Sequence, residues 1–186
     1  MSDSRIKTAT GPTILLHSGA YFDFLDPWNS AFTIEDIAHG LSNTCRYAGQ
    51  CRLFYSVAEH SWHASHLVPP DLELAALMHD AAEAFIGDVT RPLKALLSDY
   101  KRIEFNIEAA IAARFGINGM HHAAVKRADV ALLAAEQAAL MPAHSNNWAV
   151  LDGVEPADVS LMAWSPFYAK RAFLSRYNLL MGGGRA

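Results

Sequence analysis

The chain has 186 residues, 52% of them hydrophobic and 18% charged, which is apolar mass enough for one domain's core and too much for a disordered chain. Fifteen Lys and Arg stand against nineteen Asp and Glu, a formal charge of −4 that argues against a sequence-independent grip on nucleic acid. No apolar run reaches the ~18 residues of a membrane span, and the opening MSDSRIKTATGPT lacks the apolar stretch of a secretory signal, so the expectation is a cytoplasmic protein with no membrane partner.

Residues 1–32 carry Gly11, Pro12, Gly19 and Pro27 between short apolar bursts, which suits a hairpin or an irregular arm. At Thr33-Ile34-Glu35-Asp36 the pattern becomes that of a helix start, and Ile34, Ile37, Ala38 and Leu41 predict a first helix running to about Arg46. Cys45 and Cys51 are too few for a disulfide framework and lack the second pair of a structural zinc site; both read as reduced thiols. A second capping box at Ser56-Val57-Ala58-Glu59 opens a helix that Pro69-Pro70 stops. Asp71 is expected to cap a third, central helix reaching to about Phe85 and ended by Gly87. Pro92 fits the first turn of a short helix, and longer helices are predicted over 98–115, 122–141 and 165–181, with Gly116 and the run Gly182-Gly183-Gly184 as stops. Between Pro142 and Trp164, Asn146-Asn147, Asp152-Gly153 and Pro156 predict a long surface loop. The chain therefore reads as one all-α domain, an N-terminal arm over 1–32 and a helical core over 33–186.

The segment MHDAAEAFIGD, residues 78–88, carries the chemistry. His79 and Asp80 stand together inside an otherwise apolar helix, and a buried carboxylate is costly unless paired, hydrogen-bonded or bound to a metal. Glu83, four residues beyond His79 and three beyond Asp80, shares their face. His60 on the preceding helix and Asp129 in the apolar run VKRADVALLAAE are two more polar groups pointed inward by helical period. His60, His79, Asp80 and Asp129 would make a mixed nitrogen and oxygen site open to substrate, suited to one divalent Mn, Fe, Co, Ni or Zn ion.

The spacing H…HD…D resembles the HD-domain phosphohydrolases, and the likeness extends further. RYAGQCRLFYSVAEHS (46–61) with HDAAEAFIGDVTRPLK (79–94) is similar to the small HD-domain 5′-deoxyribonucleotidases, whose Arg-aromatic pair, EHS, HDxxExxxGD and closing PxK recur here in order. The resemblance implies an HD-domain helical fold, a homodimer or higher homo-oligomer, and removal of the 5′-phosphate from deoxynucleoside monophosphates. It assigns the metal to His60, His79, Asp80 and Asp129, the phosphate contact to Arg46, acid-base work to Glu83, and a place near the sugar to Asp88. A metal supplies both an acidified water and a polarised phosphoryl oxygen, an Arg fork suits the equatorial charge, and Lys94 adds a second cation. Tyr47 stands where the family generally has Trp, and Ile86 where it has Thr, so the deoxyribose preference is open. A deoxynucleoside triphosphate hydrolase of the same fold, and a non-catalytic nucleotide-binding module that keeps the metal, are the alternatives. Glu83 and Asp88 favour catalysis, since a pure binder needs neither.

Other polar and aromatic residues have plainer readings. His63 and His66 extend the helix of His60 at i+3 and i+6, and since His66 has rotated away from the shared face a histidine cluster is disfavoured; His121 and His122 sit at a helix start, and the four Trp residues read as packing. Lys101-Arg102 and Lys126-Arg127 read as solvated charges unless a phosphate path passes them. The last helix, with Phe167, Tyr168, Phe173, Leu174, Tyr177, Leu179, Leu180 and Met181, is apolar over more of its circumference than one core face needs, which predicts self-association unless Tyr21, Phe22, Phe24 and Leu25 of the arm cover it.

Overall fold

The computed structural model describes residues 11–145, 148 and 151–182. The signal reading of the first ten residues, the Asn146-Asn147 pair and the glycines at 183 and 184 lie outside the described residues. The rest is mainly α-helical, with one small sheet.

That sheet is a hairpin in the arm. Strand β1 (Thr13–Leu15) pairs antiparallel with β2 (Tyr21–Asp23), Ile14 opposite Phe22. Strand alternation turns Phe22 inward and leaves Tyr21 outside. Phe22 stacks on Phe85 with ring centroids 4.1 Å apart and meets Phe32 edge-on at 5.6 Å, so the arm enters the main hydrophobic core.

Helix α1 (Ile34–Asn43) starts from a complete capping box: Thr33 Oγ1 accepts the Asp36 amide at 3.2 Å, and the Asp36 carboxylate accepts the Thr33 amide at 3.0 Å. Asp36 also accepts the Ser18 amide, which pins the hairpin to the helix. The helix ends before Arg46 because Thr44 turns extended and the chain pairs with the approach to the next helix: Val57 N–H donates to Thr44 O, and Arg46 N–H to Tyr55 O. Helix α2 (Val57–Ala64) is capped by Ser56, but Glu59 does not close the box. Its buried carboxylate instead accepts the amides of Met162 at 2.9 Å and Trp164 at 2.7 Å, tying the end of the long loop to α2.

The predicted central helix over 71–85 is not continuous. A 3-10 turn covers Pro70–Leu72, Asp71 makes no side-chain cap, and α3 (Glu73–Leu77) and α4 (Glu83–Ile86) are separated by turns at 78–82. Gly87 ends α4 at φ +75, as expected. Helix α5 (Arg91–Lys94) takes Pro92 at its second position. The long helices α6 (Tyr100–Phe115), α7 (Ala123–Leu140) and α8 (Pro166–Gly182) follow, within two residues of their predicted bounds, with Gly116 left-handed after α6 and His122 capping α7.

Helix α8 packs across α1, α2 and α3, while α1 also meets α4, and α2 meets α3 and α7. Ile37, Leu41, Leu77, Met78, Ile107, Ile111 and Phe173 fill the centre. At Gly40 the α1 backbone touches α4 so closely that a Cβ there would lie 2.5 Å from Ala84 O. On α8, Phe173 and Tyr177 are buried, whereas Phe167, Tyr168, Leu179 and Met181 remain exposed. No helix among the described residues is long and apolar enough to cross a membrane.

Candidate functional site

Successive residues of an α-helix point about 100° apart, so His79 and Asp80 inside one helix would diverge. The break between α3 and α4 removes that obstacle. After Met78 N–H donates to Leu74 O, the chain makes three-residue turns, Ala81 to Met78 and Glu83 to Asp80, and both side chains swing to the same side. His79 Nε2 lies 3.2 Å from Asp80 Oδ2.

His60 from α2 and Asp129 from α7 complete the group. Donor atoms of His60, His79 and Asp129 all lie within 4.8 Å of one another, and Asp80 Oδ2 is 3.5 Å from His60 Nε2. The four residues predicted as ligands are thus together, with Asp80 also 3.4 Å from Arg46 Nη1. His79 Nδ1 faces the Ala76 carbonyl at 2.7 Å, and His60 Nδ1 faces Glu136 Oε1 at 2.6 Å. Both partners only accept, so both Nδ1 atoms carry hydrogen. The two Nε2 atoms then face each other at 3.4 Å with their lone pairs converging, an arrangement that calls for a cation or a shared proton between them. Burial and the Arg46 charge depress the His60 pKa, but Glu136 and Asp129 outweigh them and lift it to about 9.

Glu136 is the residue that the sequence reading missed. It is buried, and its second oxygen accepts from Arg46 Nε at 3.1 Å and from the Tyr47 hydroxyl. Burial opposes its charge, yet Arg46 and His60 bring its pKa down to about 2. Its position seven residues after Asp129, two turns along the same face of an apolar helix, was the available signal.

Arg46 and Tyr47 sit in a tight turn over 46–49 in which Tyr47 and Ala48 adopt left-handed backbone, φ 58 and 52. Such conformations are costly for residues with a Cβ and persist where surroundings enforce them. Here the Tyr47 amide donates to Asp88 Oδ2 at 2.9 Å while its hydroxyl is held by Glu136. Arg46 is buried; desolvation works against its charge, but Glu136, Tyr47, Asp80 and Asp88 more than restore it.

These groups open on a cleft of about 770 Å³ lined by Arg46, Tyr47, Asp80, Glu83, Asp88, Lys94 and Asp129, within the size range of small-molecule sites. Glu83 Oε2 is buried with no hydrogen-bond partner among the described residues, and Oε1 is 3.7 Å from Lys94 Nζ. Burial first, then Asp80 and Asp88, push its carboxyl well above the usual carboxylate range, against the pull of Arg46 and Lys94. Lys94 is also taken by Glu104 at 2.7 Å, a partner the sequence did not indicate.

Lys126 borders the cleft too: it pairs with Asp129 at 2.7 Å while its side chain stays exposed to solvent. Trp148, read from sequence as packing, stands at the rim 5.9 Å from the Tyr47 ring. His63 packs on Trp164, His66 faces the Trp62 carbonyl, and His121 pairs with Glu108, all outside the ligand group. Cys45 and Cys51 are free thiols with Sγ atoms 3.6 Å apart.

No protein-family model matches the chain. It is 40% identical over 162 residues to the uncharacterized protein YfdR of Escherichia coli (strain K12), a match spanning 87% of this chain and 91% of that protein. An uncharacterized protein of Rhodobacter capsulatus is also 40% identical, over 121 residues, 60% of this chain and 62% of its own length.

Proposed function

The chain belongs to the family of YfdR, and we propose that it is a metal-dependent phosphohydrolase that removes the 5′-phosphate from deoxynucleoside monophosphates. The observation that carries this reading is the convergence of two imidazole Nε2 lone pairs and the Asp129 carboxylate at the floor of a cleft that also holds a buried Arg and an unpartnered Glu. The donor set fits a divalent transition metal: two nitrogens whose other ring atoms are already committed, and carboxylates from Asp129 and Asp80. A bound ion there supplies an acidified water and a Lewis acid for a phosphoryl oxygen.

The residues of the chain do the rest. Arg46 presents its guanidinium to the phosphate, its buried position fixing the fork's direction. Glu83, buried at the cleft with its Oε2 unpartnered among the described residues and its carboxyl raised above the usual range, delivers a proton to the leaving 5′-oxygen and takes one from water in return. Asp88 holds the Tyr47 turn in place, and Tyr47 with Trp148 borders the space for sugar and base. The order of motifs from Arg46 to Lys94, shared with the small HD-domain 5′-deoxyribonucleotidases, supports this assignment. Free thiols in contact fit a reducing, cytoplasmic setting, and the exposed apolar face of α8 supports a homo-oligomer.

The test is release of phosphate, pyrophosphate or triphosphate from deoxynucleoside mono- and triphosphates with Mn, Co, Fe, Ni or Zn. Orthophosphate from monophosphates supports the proposal. Triphosphate from the triphosphates transfers it to the alternative that Lys126 and Arg91 along the cleft would serve, and binding without turnover leaves a nucleotide-binding module.

A further inference from the structure

The two functions proposed for this site, holding a metal and gripping a phosphate, are built by different segments of the chain, yet both run through one carboxylate. Glu136 Oε1 meets His60 Nδ1 at 2.6 Å, behind the imidazole whose Nε2 faces the ligand group. Glu136 Oε2 accepts Arg46 Nε at 3.1 Å and the Tyr47 hydroxyl, both on the cleft side. All three partners donate, and the carboxylate is fully buried, so water cannot replace any of them.

We infer that Glu136 is the positioning residue that couples the two halves of the site, fixing His60 as the Nδ1–H tautomer for metal and Arg46 with Tyr47 for phosphate. The inference rests on the proposed function for the meaning of each half, and on geometry alone for the connection. The chemistry of an amide shows why a carboxylate is required. Glutamine at 136 would match glutamate in shape but carries one accepting oxygen and one donating NH2. Whichever way the amide turns, its NH2 opposes either the His60 Nδ1–H or the Arg46 and Tyr47 donors, and one side must rearrange. The left-handed backbone at Tyr47 and Ala48 makes the phosphate side the more vulnerable, since part of what enforces it is the Tyr47 hydroxyl bond to Glu136. The partner bond, Tyr47 N–H to Asp88, would remain.

The experiment compares the unsubstituted protein with Glu136→Gln and Tyr47→Phe, using Co(II) alone and inorganic phosphate as probes. Nitrogen-15 histidine spectra of the metal-free proteins, followed upward in pH until the His60 ring is neutral, report its tautomer, and circular dichroism reports the fold. Glu136→Gln is expected to keep its helix content, lose the single Nδ1–H form of His60, weaken Co(II) by about 10–100-fold and weaken phosphate several-fold. Tyr47→Phe should weaken phosphate and leave Co(II) binding within about twofold, because the Oε1 bond to His60 is untouched. Wild-type affinity for either probe in a folded Glu136→Gln protein overturns the coupling. If that variant does not fold, the spectra of the unsubstituted protein decide: a His60 that is not Nδ1-protonated overturns it. An unsubstituted protein that takes up no Co(II) instead overturns the metal reading of the proposed function, and the tautomer still reports on Glu136.

Discussion

Replacing Gly40 by alanine sets two effects of opposite sign against each other. In the middle of a helix, Ala is favoured over Gly by about 1 kcal/mol, so propensity alone predicts a more stable protein. At this position the added Cβ would stand 2.5 Å from Ala84 O and 2.9 Å from Ala84 Cα and Cβ. The obstacle is backbone, which has no rotamer to yield, and α1 and α4 must part by about 0.9 Å to restore ordinary contact. Overpacking of this kind costs about 1–3 kcal/mol and outweighs or cancels the propensity gain, so the net change is a loss of about 0–2 kcal/mol. The functional consequence is larger than the thermodynamic one. Ala84 follows Glu83, the proposed proton-transfer group, and a displacement approaching 1 Å at such a group can cost on the order of 10²-fold in rate. Urea denaturation with parallel measurement of kcat checks both. A Gly40→Ala protein that is about 1 kcal/mol more stable with unchanged kcat would refute the close approach and the placement of Glu83 that depends on it.

Three more outcomes are expected. Asp129→Ala and Asp80→Ala should each lose the metal that elemental analysis finds at about one per unsubstituted chain; full occupancy in Asp129→Ala would remove that residue from the site. Arg46→Lys should keep only part of the kcat/KM for the phosphate substrate, down by about 10²-fold, because an ammonium cannot serve Glu136, Asp80 and a phosphate together; full activity would place the guanidinium outside the substrate path. Glu108, raised to about 7 chiefly by burial and then by Glu104 and Asp80, binds its proton more tightly in the folded chain. Its contribution to stability is therefore present below about pH 4.5 and lost as pH rises through 7, a decline on the order of 1 kcal/mol once water at its partly exposed carboxyl is allowed for, and Glu108→Gln should flatten it in denaturation curves taken across that window.

The sequence pattern carried the helical class well because capping boxes, helix-stopping glycines and 3.6-residue periodicity are local, and Thr33 with Asp36, Gly87 and Gly116 behave as local chemistry dictates. The continuous helix expected over 71–85 was misleading for the opposite reason. Nothing in its apolar run marks the turns at 78–82, through which His79 and Asp80 both reach groups distant in sequence, His60 and Arg46. The candidate ligand residues were legible as polar intrusions in apolar segments. Glu136 was equally such an intrusion but lay outside the motif, and its partners Arg46 and Tyr47 are ninety and eighty-nine residues away. Glu59 shows the same limit: its capping-box position is real for Ser56, yet long-range amides at Met162 and Trp164 claim its carboxylate.

The central claim is a metal centre built by His60, His79 and Asp129 with Asp80, facing a phosphate held by Arg46. Anomalous diffraction from crystals grown with Mn(II) or Co(II) and a non-hydrolysed deoxynucleoside monophosphate analogue tests it most directly. The account predicts one anomalous peak at about 2.0–2.3 Å from His60 Nε2, His79 Nε2 and an Asp129 oxygen, with the phosphate against Arg46. A protein active on deoxynucleotides whose peak lies elsewhere, or whose phosphate lies away from Arg46, would contradict it.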